Sequence, residues 1–271
     1  MRGGPYIAFD TTSYEMPNYT AVRFPSRQAG IMLAGWYIEG TAGAPVVIVT
    51  HGFPHCKCDS NVLTPAGILH RNGFNVLMID LRNHGQSDVV NGHAAFGNTE
   101  WQDVLGAWDW LAATKQFAPQ RIGLYGVSMG AATSLIAFAQ EPRVAATFTD
   151  SAFIDVNELI DDNLSQMNLP TFLSYGGLLM ARAVGGEDLT VHTPRVGILK
   201  DAGRPLYLVH GTADQKVFFH QNQELAALAQ QTHANATFWV VDGAGHVESV
   251  FHSTADYEQR LTTFFRAALG K

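Results

Sequence analysis

The chain has 271 residues, of which 46% are hydrophobic and 15% are charged, a composition typical of a globular protein with a substantial core. It contains neither a low-complexity tract nor the charge excess of a disordered segment. The formal net charge of −7 argues against nucleic acid and anionic membrane surfaces as partners, and a small neutral or weakly charged substrate fits it better.

The amino-terminal segment, residues 1–10, lacks a basic stretch followed by an extended apolar run, so we expect no secretory signal and predict a cytoplasmic protein. The longest apolar stretch, residues 169–184, is interrupted by polar residues and glycines, and it is shorter than the roughly 20 residues that a membrane span needs. We therefore expect no stable membrane association. Nothing in the sequence indicates an oligomeric state.

Two β-rich runs, residues 19–24 and 31–38, come first and are joined by a predicted hairpin turn, so we expect two antiparallel edge strands. After them, short apolar strands alternate with longer helical segments, which is typical of a parallel sheet covered on both faces. The further predicted strands are 45–50, 75–80, 121–125, 144–149, 205–210 and 237–241. The predicted helices are 60–71, 99–115, 129–140, 217–231 and 254–269. We therefore predict a single α/β domain over residues 1–271, with a mostly parallel sheet of eight strands.

The loop after the predicted strand 45–50 carries the only two cysteines of the chain, Cys56 and Cys58. Because one residue separates them, an intramolecular disulfide is awkward, and we expect two reduced thiols near the mouth of a site. The nearby His51 and His55 would suit a metal ion, but no second pair of ligands follows at a recognisable spacing. We therefore expect no metal.

The pentapeptide Gly126-Val127-Ser128-Met129-Gly130 lies between an apolar strand and a helical stretch of small residues. This is the pattern of a nucleophile elbow, in which a sharp turn from strand to helix exposes the central serine and glycines on both sides avoid Cβ clashes. The alternative is a glycine-rich turn with a capping serine. The sequence thus makes Ser128 the candidate nucleophile.

Residues 152–194 interrupt the alternation of strands and helices, because their apolar residues recur at mostly helical spacing without a strand. An insertion at this point would lie over the carboxyl edge of the sheet. We predict a small helical cap that supplies apolar walls to a pocket, and the alternative is a pair of ordinary core helices.

A serine hydroxyl needs a base within hydrogen-bond reach and an acid that orients the base, here in the chain order serine, acid, histidine. Asp214 follows the predicted strand 205–210 in a glycine-bearing loop and is the candidate acid. His246 follows the last predicted strand between glycines and is the candidate base. Asp150, which also ends a strand, is the rival acid.

An oxyanion intermediate needs two N–H donors. The amide of Met129 directly follows the candidate nucleophile, and the amide of Phe53 follows a glycine in the loop after strand 45–50. We predict that these two amides form the oxyanion hole, and the alternative for the second loop is a simple tight turn.

The chain resembles the α/β-hydrolase superfamily over nearly its whole length. The matching stretches are His51-Gly52-Phe53, Asp80-Leu81-Arg82-Asn83-His84-Gly85-Gln86-Ser87, Gly126 to Gly130, His210-Gly211-Thr212-Ala213-Asp214 and Gly245-His246. The bacterial serine carboxylesterase, lysophospholipase and serine aminopeptidase-like branches are most similar. The resemblance implies an acyl transfer to water without a cofactor, and serine at the elbow counts against the dehalogenase and epoxide hydrolase branches. In place of the glycine-rich loop usual in the family, this chain has the bulkier residues 53–58.

The resulting expectation is a carboxylesterase that cleaves short to medium acyl esters through an acyl-enzyme on Ser128. A thioesterase or an aminopeptidase-like amidase remains an alternative. An aminopeptidase would need acidic residues to bind a substrate amine, and the cap offers Asp155, Glu158, Asp161 and Asp162. A third alternative is a ligand receptor built on a hydrolase fold.

Overall fold

A computed structural model describes residues 11–14, 16 and 18–270. The prediction about a signal in segment 1–10 lies outside these residues. The strands are β1 Thr20–Pro25, β2 Met32–Ile38, β3 Val46–Thr50, β4 Asn75–Ile79, β5 Ile122–Val127, β6 Ala146–Asp150, β7 Leu206–Gly211 and β8 Ala236–Val241. The helices are α1 Ser60–Arg71, α2 Trp101–Ala113, α3 Met129–Gln140, α4 Val156–Gln166, α5 Leu173–Gly185, α6 Val196–Leu199, α7 Phe219–Thr232, α8 Ser249–His252 and α9 Thr254–Leu269, with short 3-10 turns at Thr11–Tyr14 and Pro119–Arg121.

The eight strands form one sheet in the order β1-β2-β4-β3-β5-β6-β7-β8. The pairs β1–β2 and β2–β4 are antiparallel, and every other neighbouring pair is parallel, so the predicted fold class is confirmed. The expectation of two edge strands is wrong for β2, which pairs with β1 on one side and β4 on the other. Only hydrogen-bond pairing decides which strand ends a sheet, and hydrophobic pattern does not record it.

Apolar side chains cover both faces of the sheet because successive residues of a strand point to opposite sides. In β3, Val46 and Ile48 belong to the core shared with α2, α3 and α7, whereas Val47 and Val49 belong to the core shared with α1 and α9. Since both sets are buried, the central strands are apolar throughout rather than alternating. This arrangement leaves the strand ends as the place for polar chemistry.

The segment between β6 and β7 contains no strand and forms two helices of the predicted cap region, α4 and α5, before the short helix α6. The described part of α5 has no buried residue, and α4 buries only Val156. The two helices therefore pack on the outside of the sheet–helix core. Among the described residues, none of the helices is both long and apolar enough to cross a lipid bilayer.

Two glycines at the end of β5 are required by close backbone contacts. A Cβ on Gly126 would come within 2.2 Å of the Gly130 carbonyl oxygen, and a Cβ on Gly130 would come within 2.4 Å of the Thr50 carbonyl oxygen. Because these obstacles are backbone atoms, a side chain on Gly126 would have to displace the first turn of α3, and one on Gly130 would have to displace the end of β3. The turn from β5 into α3 is thus fixed against the end of β3.

We expect Gly130→Ala to lower the free energy of unfolding by about 2 kcal/mol, the usual size of an overpacking penalty in a close-packed interior. Gly177→Ala is the matched control, because a Cβ on Gly177 meets nothing within 4 Å. The control should raise stability by about 0.5–1 kcal/mol through helix propensity. Denaturant unfolding of both variants checks this, and equal stability of the two would contradict the proposed close contact.

Candidate active site

Ser128 stands between the end of β5 and the first residue of α3, with φ of 53° and ψ of −121°. Residues other than glycine rarely adopt a positive φ. The backbone strain of such a conformation persists only where the surrounding structure enforces it. Here the Ser128 amide donates a hydrogen bond to the Asp150 carbonyl at 2.9 Å, which fixes the turn to the end of β6. The Ser128 hydroxyl is thereby held at the carboxyl edge of the sheet, as the sequence predicts.

His246 lies in the loop after β8, and its imidazole lies between Ser128 and Asp214. The Nδ1–H donates to Asp214 Oδ2 at 2.8 Å, because a carboxylate can only accept. This leaves Nε2 unprotonated, so it accepts a hydrogen bond of 2.9 Å from the Ser128 hydroxyl. The structure thus brings the three predicted side chains into one continuous hydrogen-bonded chain.

Asp214 is fixed by its own loop as well as by His246. Its Oδ1 accepts hydrogen bonds from the amides of Lys216 and Val217 at 2.9 and 3.0 Å, and His210 Nε2 lies 3.4 Å from its Oδ2. Burial alone would raise the pKa of the Asp214 carboxyl, but hydrogen bonds from His210 and His246 outweigh it and hold that pKa well below its usual value. Asp214 is therefore an anion at neutral pH, suited to orient an imidazole.

The rival acid, Asp150, is fully buried, and the imidazole of His246 bonds to Asp214 instead. Its Oδ1 accepts hydrogen bonds from the hydroxyls of Ser151 and Ser249 at 3.1 and 3.2 Å. The Ser151 hydroxyl in turn accepts from the amide of Val247, the residue after His246, at 3.1 Å. Asp150 thus contacts the backbone of Ser128 through its carbonyl and supports the loop of His246 through Ser151.

The loop that carries the Phe53 amide lies directly against the candidate nucleophile. A Cβ placed on Gly52 would be 3.1 Å from the Ser128 Cβ, so only glycine allows this approach. The Phe53 amide donates to no other described residue. Met129 opens α3, and its amide is one of the four that lack an acceptor within a helix. Two donors thus remain free beside the Ser128 hydroxyl.

His51 connects this loop to the loop after β4. Its Nε2 accepts a hydrogen bond from the Leu81 amide at 3.1 Å, so its proton is on Nδ1, which donates to the Gly52 carbonyl at 2.8 Å. Burial, together with the nearby His84, lowers the pKa of His51 to about 4. A neutral His51 therefore holds Gly52, and with it the Phe53 amide, in place.

The expectation of two reduced cysteines is wrong, because Cys56 and Cys58 are joined by a disulfide. The chain turns at this point, with the Asp59 amide donating to the Cys56 carbonyl at 3.1 Å, and the two Cα atoms lie 5.2 Å apart. That separation is within the range of ordinary disulfides, so a spacing of two residues is no obstacle in a turn. Bonded sulfurs are not thiolates, and they offer no ligands to a metal.

Lys57, between the two cysteines, has a fully buried side chain. Its ammonium group contacts Asp80 Oδ2 at 2.5 Å and Gln86 Oε1 at 3.0 Å, and it lies 4.8 Å from the ring centre of Trp36. Asp80 also accepts from the amides of Lys57 and Gln86. Asp80 thus organises this loop, and no pattern in the sequence pointed to its partner Lys57.

A cavity of about 390 Å³ opens beside Ser128, Met129 and His246, near the small end of the range for ligand pockets. Most of its wall is apolar, and Asn163 and Lys216 are the polar residues beyond the candidate machinery. The apolar wall consists of Phe53, Phe96, Phe153, Leu159, Ile160, Leu164, Met167 and Val217. Helix α4 therefore supplies one side of the cavity, whereas the apolar residues of α5 do not line it.

The acidic residues of the cap lie on the other side of α4. Asp155 caps the helix through the Glu158 amide and forms an ion pair with Arg195, and Asp162 accepts from His220 and Gln221. None of the four acids lines the cavity. Within the described residues, Glu158, His220 and Glu224 are close enough to share a metal ion, but this exposed group is likewise not part of the cavity.

The mostly parallel sheet, the strained serine at the end of β5 and the apolar cavity together define an α/β hydrolase, as expected from the sequence. The model of the prolyl oligopeptidase family matches residues 64–271. The chain therefore belongs to the prolyl oligopeptidase family.

Two curated relatives match about half of this chain at moderate identity. An uncharacterized 31.7 kDa protein in the traX-finO intergenic region of Escherichia coli is 31% identical over 147 residues, which cover 54% of this chain and 50% of that protein. Thiohydrolase aneE of Aspergillus aculeatus is 28% identical over 162 residues, 58% of this chain and 50% of that enzyme. The chain thus spans about half the length of these curated relatives.

Among solved structures, the esterase Pf2001 of Pyrococcus furiosus superposes with a TM-score of 0.78 over 100% of this chain and 98% of that chain, at 21% identity. At this identity the likeness concerns the fold.

Sequence reasoning missed the residues that hold the cavity wall in place. Phe96 packs against Phe53 with ring centres 5.7 Å apart, and its loop is held by the buried Glu100, which accepts from the amides of Ala95 and Gly97 at 2.7 and 3.0 Å. Burial raises the pKa of Glu100. A glutamate at the start of a helix looks like an ordinary capping residue in the sequence. No local pattern therefore distinguishes a glutamate that holds the loop of Phe96 from one that caps the helix.

Burial raises the pKa of the Asp150 carboxyl to about 6, although His210 and the hydroxyls of Ser151, Tyr257 and Ser249 oppose that rise. The folded protein ionises such a carboxyl less readily than the unfolded chain does. The stability that the protonated carboxyl contributes is therefore fully present below the unfolded pKa, and it is lost as the pH rises through the folded pKa. Asp150→Asn keeps an oxygen acceptor for the two serines but cannot ionise. Relative to the parent protein, its free energy of unfolding should therefore increase by about 2 kcal/mol between pH 4 and pH 7.

Urea unfolding at several pH values measures this difference. The exposed Asp256→Asn is the matched control, and its difference from the parent should stay small and flat over the same interval. If the difference in free energy of unfolding between Asp150→Asn and the parent does not change with pH, ionisation of Asp150 does not destabilise the folded protein.

Proposed function

We propose that this protein is a serine carboxylesterase that hydrolyses short to medium acyl esters through an acyl-enzyme on Ser128. The proposal rests on the continuous hydrogen-bonded chain Asp214–His246–Ser128, with distances of 2.8 and 2.9 Å, which opens onto an apolar cavity. Serine alone is a weak nucleophile, and this arrangement is the one that activates it.

In the proposed reaction, the Ser128 hydroxyl attacks the ester carbonyl while His246 Nε2 accepts its proton. The oxygen of the tetrahedral intermediate takes up negative charge and accepts hydrogen bonds from the amides of Phe53 and Met129. Protonated His246, stabilised by anionic Asp214, then gives the proton to the departing alcohol. A water molecule repeats the sequence on the acyl-enzyme, with His246 first accepting its proton and then returning one to Ser128. No cofactor or metal takes part in these steps.

The proposed substrate class follows from the cavity. A volume of about 390 Å³ with mostly apolar walls suits an acyl chain of limited length, and its polar wall residues are few. We accordingly propose a small-molecule ester as the partner of the site. The cytoplasmic location remains a prediction from the sequence.

A thioester is the second candidate substrate, because the same chemistry cleaves it and a relative is named as a thiohydrolase. Membership of a family named for an oligopeptidase keeps an amide open as well. The amine-binding role for Asp155, Glu158, Asp161 and Asp162 has no support from their placement outside the cavity. A receptor without turnover is disfavoured by a serine, imidazole and carboxylate that are already connected for proton transfer.

We expect Ser128→Ala to lower kcat for p-nitrophenyl butyrate by at least about 10⁴-fold, as removal of a serine nucleophile does in related chemistry. It should also abolish covalent labelling by a fluorophosphonate probe. Ser174→Ala, in the cap helix α5, is the control and should keep both. Labelling that survives in Ser128→Ala would identify a different serine as the nucleophile.

A series of p-nitrophenyl esters from acetate to laurate tests the substrate class. The value of kcat/KM should peak at short to medium chains, and Leu164→Ala should move the peak to longer chains because Leu164 lines the cavity. The exposed Leu199 gives the matched control Leu199→Ala, with no shift expected. Faster turnover of the butyryl thioester or the p-nitroanilide would favour the alternatives, and binding without turnover of any substrate would support a receptor.

A further inference from the structure

The outer side of the cap carries an unusual amount of exposed apolar surface. Eight large apolar residues between positions 167 and 184 are 42–74% exposed in the described structure. They are Met167, Leu169, Phe172, Leu173, Tyr175, Leu179, Met180 and Val184. Helix α5, which carries most of them, has no buried residue. This surface, called here the α5 face, is separate from the cavity except at Met167.

The residues of the α5 face that lie on the helix recur at helical spacing. Phe172 and Leu179 are seven residues apart, as are Leu173 and Met180, so each pair lies on the same side of the helix two turns apart. Gly176 lies between the two rows, and a Cβ placed on it would meet nothing within 4 Å. The fold of the chain itself thus gives no reason for a small residue there. A seven-residue repeat of large side chains beside a small one is the pattern that accepts another helix.

The area of the α5 face matches that of a stable protein interface. With roughly 200 Å² for a fully exposed side chain of this size, the eight exposures amount to about 950 Å². The largest apolar patch of a typical monomer is about 300–600 Å². A standard interface buries about 800 Å² on each partner. The α5 face therefore exceeds what a monomer normally leaves in water and equals one side of a dimer.

The charges around the α5 face favour a second copy of this chain over a lipid surface. Arg182 is the only charged residue between positions 167 and 185, and it forms an ion pair with Asp188 at 3.2 Å. Helices that lie on membranes usually carry several basic residues on their polar face, and the whole chain has a net charge of −7. An apolar face whose single charge is already paired is complementary to itself, which is what a two-fold axis requires.

We propose that the α5 face is the interface of a homodimer, in which α5 of one protomer packs against α5 of its partner across a two-fold axis. Helix α4 continues from this face to the wall of the cavity, so the dimer would also fix the cap over the site. The proposal concerns association and does not depend on the ester chemistry.

Sedimentation equilibrium of the full chain, from about 0.1 to 100 μM, tests the proposal over affinities common for interfaces of this size. The parent protein should associate reversibly to a dimer. The double variant Phe172→Glu with Leu179→Glu places two charges on each side of the axis and should weaken dimerisation at least about 100-fold. Val89→Glu with Val240→Glu, at exposed apolar positions outside the α5 face, is the matched control and should remain dimeric.

Folding of each variant is checked by far- and near-ultraviolet circular dichroism, which report secondary structure and side-chain packing. None of the four positions lines the cavity. A parent protein that stays monomeric over the whole range overturns the proposal. A dimer that persists unchanged in Phe172→Glu with Leu179→Glu also overturns it. Flotation of a monomeric parent with phosphatidylcholine vesicles, lost in that variant, would assign the α5 face to a lipid surface instead.

Discussion

The site depends on one steric constraint, the close approach of the β5–α3 turn to the end of β3. The Cβ-free positions Gly126 and Gly130 let two backbones come together, and Ser128 is held at a positive φ between them. Because the contacts are between backbone atoms, the position of the hydroxyl is set by the sheet itself and not by flexible side chains. The other groups at the carboxyl edge are arranged around this hydroxyl.

Strands β6 and β7, on the side of β5 away from β3, position the residues around Ser128. Asp150, at the end of β6, holds Ser128 through its carbonyl and the loop of His246 through Ser151, while Asp214, after β7, holds the imidazole directly. The two carboxyls sit in different surroundings, and their pKa values move in opposite directions for that reason. One carboxyl is therefore suited to remain an anion beside an imidazole, and the other acts as a buried acceptor for hydroxyls.

The sequence predicts those features of the fold for which a local pattern of residues has one physical solution. All eight strands and the five predicted helices were found within two residues of their bounds, because apolar periodicity records burial directly. The candidate serine, acid and histidine could be selected because each follows a strand end, and the structure brings their side chains together. The failures concern geometry that no short window records: the turn that allows the Cys56–Cys58 bond, the partner of Asp80, and the inner position of β2. Each of these depends on residues brought together by the fold.

The two cap helices face in different directions, and this has a consequence for how the protein can change. Helix α4 turns Leu159, Ile160 and Leu164 toward the cavity, whereas α5 turns its apolar residues outward and buries none. Apart from Met167, which belongs to both, substitutions that reshape the cavity and substitutions that alter the outer surface thus fall on separate stretches of chain. Descendants of this protein can therefore acquire a new substrate without losing a surface property, and a new surface without losing a substrate.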